Sequence, residues 1–204
     1  MFNPYAHGNW PNNANASSST PSGTLPQPSI FGALPYPTPT GGPAPVWMWF
    51  TFNGFNPNIL NCTVTGPQAR TYFTIRTDKP GQAPGFTVVS NALQQPAVII
   101  EWAKHPVLEV RDVVSKRRTV EWMPLAQGNK YRTMTARGRT FIWAPDDDDI
   151  TMYSVGLGTP QTYARIYRDD DEVILQMTVE AVQIGLLEVC VAATLLLQCG
   201  RNID

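Results

Sequence analysis

The sequence predicts a mainly β domain, a closed antiparallel barrel of about twelve strands that encloses a hydrophobic C-terminal helix. Short β-like runs, separated by turn residues, recur from residue 46 onward. One segment near the C-terminus is apolar nearly all round, so a helix formed there has to be buried. Because sheet edges must be closed or covered and this helix must be surrounded, a barrel wrapped around the helix satisfies both demands.

Residues 1–45 differ in composition from the rest of the chain. They contain ten of the 19 prolines, and the first charged side chain of the 204-residue sequence is Arg70. A segment so rich in Pro, Ser, Asn and Gly cannot bury enough apolar area to offset the entropy of ordering it. The composition therefore predicts a disordered tail over residues 1–45 and one folded domain over residues 46–204.

Twelve candidate strands follow the tail. The runs begin at Val46, Ile59, Arg70, Phe86, Ala97, Leu108, Arg118, Lys130, Arg139, Thr151, Gln161 and Glu172. In the last run, Val173, Leu175 and Met177 recur at every second position, which is the period of a strand with one buried face. Turn residues between the runs are Asn53-Gly54, Lys79-Pro80-Gly81, Arg137-Gly138 and Gly156-Leu157-Gly158.

The first run is the most apolar. Trp47, Met48, Trp49 and Phe50 follow one another without a polar residue, which favours a strand buried on both sides. An exposed adhesive patch at the junction with the tail is the alternative. Trp102, Trp122 and Trp143 end their runs beside charged or turn residues, where the indole N–H can find a partner, so we expect them to serve packing.

The helix is predicted over residues 186–199. Gly200 follows it, and glycine is the residue favoured just after a helix C-terminus. A membrane span, the alternative for so apolar a segment, needs about 20 apolar residues, and this stretch is shorter. The sequence therefore predicts a core helix and no transmembrane span.

Composition excludes several classes of function. The net charge is −1 and the isoelectric point about 6.1, which gives no general attraction to nucleic acid. Three cysteines, without CxxC spacing, predict neither a disulfide framework nor a zinc site. No secretory signal is visible at the N-terminus. These features predict a cytoplasmic protein, free or peripheral at a membrane, with the nucleus left open.

The sequence offers little for catalysis or for a cofactor. His105 is the single histidine after the tail, and a nucleophile needs an adjacent base with an orienting partner. We therefore expect no enzymatic activity and no cofactor, and a pairing of Cys62 with His105 is the remaining alternative. The acidic runs Asp146–Asp149 and Asp169–Glu172 could offer oxygen ligands to calcium. They lack EF-hand spacing, so we predict solvated turns and no metal site.

Several short motifs occur in a recognisable order along the domain. They are Phe50–Thr63 with its Asn-Ile-Leu-Asn core, Tyr72–Thr77, Ile100–Trp102 followed by His105-Pro106, Gly138–Trp143 and Tyr163–Arg168. In this order the sequence resembles a fungal family, mostly from mushroom-forming fungi, whose domain has no assigned function. That family is placed in the superfamily of tubby C-terminal domains, phospholipid scramblases and LURP-one-related proteins. The resemblance implies a twelve-stranded barrel around a hydrophobic helix and, by analogy, contact with lipids.

Charge is distributed unevenly along the domain. Residues 104–139 carry nine basic against three acidic side chains, whereas residues 146–188 carry ten acidic against two basic ones. Lys116, Arg117 and Arg118, with Arg137 and Arg139, are the candidate site for an anionic headgroup, and a solvated turn is the structural alternative. The sequence thus favours a non-enzymatic binding module that docks to anionic, phosphoinositide-like membrane lipid. A protein-interaction or scaffold domain without lipid binding is the alternative.

Overall fold

The computed structural model describes residues 45–78, 85–126, 128, 130–156 and 159–204. The predicted disordered tail lies outside these residues, apart from Pro45. So do the predicted turn at Lys79-Pro80-Gly81 and two residues of the predicted turn at Gly156-Leu157-Gly158.

The described part of the chain folds into one twelve-stranded antiparallel sheet that curls into a nearly closed barrel. The strands are β1 (Trp47–Asn53), β2 (Cys62–Thr65), β3 (Thr71–Asp78), β4 (Gly85–Asn91), β5 (Pro96–Trp102), β6 (Val107–Val110), β7 (Val114–Arg118), β8 (Arg132–Ala136), β9 (Arg139–Asp146), β10 (Asp149–Ser154), β11 (Thr162–Asp169) and β12 (Glu172–Thr178). Neighbours in sequence pair throughout, except at β7 and β8, and β1 pairs with β12. The two end strands of the sheet, β7 and β8, flank a gap that we call the seam. The chain between these two strands lies against β8 there, where the Thr133 N–H donates to the Pro124 carbonyl at 3.0 Å.

Three α-helices accompany the sheet within the described ranges. They are α1 (Thr119–Trp122), α2 (Val179–Gln183) and α3 (Leu187–Gln198), and a 3-10 helix spans Pro67–Ala69. Eight consecutive residues of α3, from Val189 to Leu196, are buried, and α3 contacts β12 as well as β5 and β6 on the other half of the sheet. Gly200, at φ +67, follows the helix. The predicted fold class, a barrel around a hydrophobic C-terminal helix, is confirmed.

Two strand predictions are wrong in detail. The run beginning at Arg118 forms the short helix α1, although its apolar residues alternate as in a strand. The run beginning at Leu108 is divided between β6 and β7 by a tight turn, in which Asp112 adopts φ +59. As a consequence, Lys116 to Arg118, for which a solvated turn was the structural alternative, lie in strand β7.

The first run is buried on one side only. Phe50 and Phe52 are fully buried, whereas the Trp49 side chain is 52% exposed on the outer wall. The prediction of a strand buried on both sides is therefore wrong, because nothing in the described residues covers the outer face of β1 at this point. The other indole prediction is confirmed. The indole N–H of Trp102 donates to Thr87 Oγ1, that of Trp122 to the Thr135 carbonyl, and that of Trp143 to Met134 Sδ.

The antiparallel connections place alternate turns at opposite ends of the barrel. At one end, which we call the rim, lie the β2–β3, β4–β5, β6–β7, β8–β9 and β10–β11 connections together with α2 and the start of α3. At the opposite end lie the β9–β10 and β11–β12 turns, which carry the acidic runs Asp146–Asp149 and Asp169–Glu172. The barrel therefore carries its densest negative charge at the end away from the rim.

Candidate functional site

The five candidate anion-binding residues fall into two groups. Lys116, Arg117 and Arg118 lie on β7, the edge strand beside the seam. Arg137 lies in the β8–β9 turn and Arg139 begins β9, so both belong to the rim. All five side chains are exposed. The structure thus keeps the predicted residues accessible but divides them between two surfaces.

The three cations of β7 do not form one binding face. Arg117 stands opposite the buried Leu108, so it takes the inner-facing register of the strand, and its guanidinium turns back onto Ser115. Lys116 Nζ lies 3.0 Å from Glu101 Oε2 in an exposed ion pair. Because one cation is neutralised and another points away from the outer face, this group presents a weaker anion site than three consecutive basic residues suggest.

Arg137 is held in place at the rim by its surroundings. Its backbone is in the left-handed region, at φ +51, and its Nη1 donates to the Asp112 carbonyl across 3.4 Å. A Cβ atom added to Gly185 would lie 3.3 Å from Nε and Nη2 of Arg137, so the absence of a side chain there leaves room for the guanidinium. These contacts join the β8–β9 turn to the β6–β7 turn and to the α2–α3 connection.

Two open clefts flank the start of α3. The first, about 260 Å³, is mainly polar and is lined by Asn91, Gln95, Pro96, Ala97, Arg111, Asp112, Val113, Arg137 and Glu188. The second, about 280 Å³, shares Asn91 and Glu188 with it and adds Arg70 and the apolar side chains of Leu93 and Leu187. Sequence reasoning missed Arg111 as a site residue, because the tight turn that aims it at the rim was not predicted.

The rim also carries the most exposed aliphatic side chains of the described domain. Leu93 is 77% exposed at the β4–β5 turn, Val46 is 68% exposed before β1, and Val155 is 55% exposed after β10. Burial of such side chains against an apolar partner is favourable. A surface that combines them with arginines is therefore suited to a partner that is both apolar and anionic.

The rim carboxylates are only partly free to oppose these arginines. Glu180 accepts hydrogen bonds from the Gln161 amide at 2.8 Å and from the Tyr163 hydroxyl at 3.2 Å. Burial raises the pKa of Tyr163, the nearby Glu180 raises it further, and Arg139 acts in the opposite direction. Asp112 and Glu188 line the first cleft and remain its two negative groups.

Two of the three cysteines, Cys62 and Cys190, are buried, and Cys199 is half-buried. The Cys62 thiol donates to the Ile59 carbonyl at 3.1 Å, and burial raises its pKa to about 12. Burial also raises the pKa of Cys190 and Cys199. Because the thiolate is the reactive form, these thiols are poor nucleophiles at neutral pH.

Two kinds of element are absent from the described residues, a metal-binding cluster and a membrane-spanning helix. Within residues 45–204, apart from the gaps given above, no three His, Cys, Asp or Glu side chains converge in a way that could hold a metal ion. Neither acidic run forms such a group. No helix in the described ranges is long and apolar enough to cross a membrane.

A third surface lies on the outer wall of the barrel. A groove of about 500 Å³ runs beside β1 and the 3-10 helix, lined by Trp47, Met48, Trp49, Thr51, Thr65, Gly66, Pro67 and Ala69. The Arg165 guanidinium lies 5.6 Å from the centre of the Trp47 ring, a cation–π distance. The groove is apolar, open and bordered by a cation.

Comparisons with known proteins give a weak likeness of the fold. No protein-family model matches the sequence, and no curated protein matches it. The X-ray structure of a protein from Arabidopsis thaliana is similar to this chain, with 11% sequence identity and a TM-score of 0.38. The likeness covers 74% of this chain and 93% of the plant protein. The resemblance to the fungal family stays a prediction.

Proposed function

We propose that this domain is a binding module without enzymatic activity that docks to anionic membrane lipid through its rim. The observation that carries the proposal is the meeting of exposed arginines and exposed aliphatic side chains at one end of the barrel. Arg111, Arg137 and Arg139 supply positive charge there, and Leu93 and Val155 protrude beside them. A membrane surface offers phosphate groups to the arginines and acyl chains to the aliphatic residues.

The rim arginines are available to an external anion. The described residues form two ion pairs, Lys116 with Glu101 and Arg132 with Asp204, and neither involves a rim arginine. The acidic runs at the far end would point away from an anionic membrane, so the field of the whole barrel favours approach with the rim forward. Arg137 and Arg139 of the predicted site belong to this surface, whereas Lys116 to Arg118 lie along the seam.

Vesicle co-sedimentation with two matched triple variants tests the proposal. One variant changes Arg111, Arg137 and Arg139 to Gln, and the other changes Lys116, Arg117 and Arg118 to Gln, so each removes three positive charges. Each cation near an anionic membrane contributes about 1 kcal/mol, so the rim variant should lose about a hundredfold in affinity. The seam variant should keep most of its binding.

The vesicles should contain phosphatidylcholine alone, or with phosphatidylserine or a phosphoinositide, at low and physiological salt. Binding should require an anionic lipid and weaken with salt, because exposed charges are screened. Loss of binding in the seam variant alone would place the anion site on β7 instead. A chain that binds none of the anionic vesicles at low salt would refute lipid docking.

The groove beside β1 favours a second candidate function, the docking of a protein partner. Trp49 is 52% exposed, and tryptophan is enriched where a few residues carry most of the binding energy of a protein interface. Changing Trp49 to Ala should then abolish capture of that partner without affecting vesicle binding. If the parent chain and the Trp49→Ala variant captured the same proteins in the same amounts, this role would be excluded.

A further inference from the structure

Residues 201–204 reach one end of the seam, between α1 and the start of β8. After Gly200 the chain leaves α3, and residues 201–204, which we call the strap, run to the gap between α1 and β8. The strap is fixed first by Arg201, whose guanidinium lies 4.7 Å from the centre of the Trp102 ring. Its far end then meets Thr119 of α1 on one side and Arg132 of β8 on the other.

The Arg132 guanidinium binds the strap through two of its nitrogen atoms. Nη1 and Nη2 donate to the two carboxylate oxygens of Asp204, both at 2.8 Å, and Nη1 also donates to the Met123 carbonyl at 3.0 Å. The Arg132 side chain is only 13% exposed. A bidentate guanidinium held by a backbone carbonyl recognises a carboxylate by geometry as well as by charge. The seam therefore contains a preformed acid-binding position.

The neighbouring position accepts an aliphatic side chain. Ile203 is 6% exposed and belongs to the hydrophobic core. The Thr119 hydroxyl lies within hydrogen-bond distance of the carbonyl oxygens of both Ile203 and Pro106, and its one proton can serve only one of them at a time. An aliphatic residue followed by an acid thus meets an apolar socket, the side-chain hydroxyl of Thr119 as a donor to its carbonyl, and a guanidinium fork.

The strap holds to the barrel through one buried side chain, that of Ile203, and its other residues are exposed or half-buried. Asn202 is exposed, and the Asp204 side chain is 42% exposed. None of the strap residues belongs to a strand or a helix of the barrel. A segment of this kind has to compete as a tethered ligand, at an effective concentration in the millimolar range for a short linker.

We propose that the seam between α1 and β8 is a recognition groove for a partner segment in which an aliphatic residue precedes an acidic one. Residues 201–204 occupy this groove as an internal ligand and keep it closed. A partner carrying such a segment displaces the strap and engages Arg132 and Thr119 in its place. This groove is separate from the rim and stands whether or not the rim binds lipid.

The test uses a peptide of residues 200–204, acetylated and amidated so that the aspartate side chain is its single carboxylate. The full-length Asp204→Asn chain, whose strap has lost its charged contact, should bind this peptide at least about tenfold more tightly than the parent chain does. Nitrogen–proton correlation spectra follow binding through the indole signals. The Trp122 indole, which donates to Thr135 on β8, should shift, and the Trp49 indole on the outer wall of β1 should not.

Three controls make the experiment decisive. The same peptide with Asn in place of the aspartate should bind to neither chain. Arg132→Ala in the Asp204→Asn chain should abolish binding of the parent peptide. Lys116→Gln breaks the other ion pair, outside the seam, and should leave peptide binding equal to that of the parent chain.

Hydrogen exchange gives the second measurement. In the Asp204→Asn chain, amides of α1 and β8 should exchange faster than in the parent chain, and the peptide should restore their protection. Equal affinity for the two chains would overturn the proposal, as would unchanged exchange in the variant. Global unfolding of the Asp204→Asn chain would also overturn it, because the strap must be able to leave an intact barrel.

Discussion

The enclosure of α3 makes a quantitative prediction about Leu195. Its side chain is fully buried among the strands, so Leu195→Ala removes three carbon atoms from the centre of the barrel. Large-to-small changes at such positions cost about 2–5 kcal/mol, because the lost burial and the cavity both count. At about 2–4 °C per kcal/mol for a domain of this size, a cost of about 3 kcal/mol lowers the melting temperature by roughly 6–12 °C.

Thermal unfolding followed by circular dichroism measures this shift, and the same substitution at an exposed leucine provides the control. Leu93→Ala deletes the same atoms from a side chain that is 77% exposed, so its effect should stay within about 0.5 kcal/mol. If Leu195→Ala melted at the same temperature as the parent chain, α3 would not be enclosed by the barrel. A loss of several degrees in both variants would place Leu93 in a packed interface instead.

Three further predictions follow from individual contacts. A Cβ at Gly66 would lie 2.6 Å from the Tyr72 ring, so Gly66→Ala should cost about 1–3 kcal/mol in a urea titration, whereas Gly156→Ala, with nothing within 4 Å, should be neutral. The ion pair lowers the pKa of Asp204 below its usual 3.8. Its stabilisation is therefore present above that pH and is lost as the pH falls through the folded-state pKa, so the melting temperatures of the parent and Asp204→Asn chains should differ at neutral pH and converge in acid. The Cys62 thiol, with its pKa near 12, should resist a thiol reagent at neutral pH until the chain unfolds, and rapid labelling of the native chain would contradict its burial.

Periodicity in the sequence is sufficient to predict the barrel and its helix. Val173, Leu175 and Met177 alternate in the sequence and are fully buried in the structure, because a strand with one inner face imposes period two. The enclosure of the uniformly apolar helix is equally predictable, since few positions in a β domain tolerate a helix without a polar side. The strand prediction failed at one short segment. Val120 and Trp122 alternate like strand residues but belong to a single turn of helix.

The candidate site was harder to predict because it depends on which turns share an end of the barrel. Arg111 and Arg137 lie 26 positions apart in the sequence, and a tight turn at Asp112 brings them to one cleft. Consecutive basic residues are the more visible signal, yet alternation along β7 sends their side chains to different faces. No sequence pattern predicts the position of the strap, because Arg132 and Asp204 come into contact only in the folded barrel.

The cations along β7 have a physical role that is independent of any lipid. An unpaired sheet edge invites another strand, and charged side chains on the edge oppose such pairing. Lys116, Arg117 and Arg118 line the end strand β7, whereas Arg132 at the start of β8 is paired with Asp204. Like charges therefore discourage β7 from pairing with β7 of a second copy. Replacing the three β7 cations by Gln should then increase self-association in sedimentation velocity without lowering vesicle binding. A variant that stays monomeric at high concentration would show that these charges do not protect the edge.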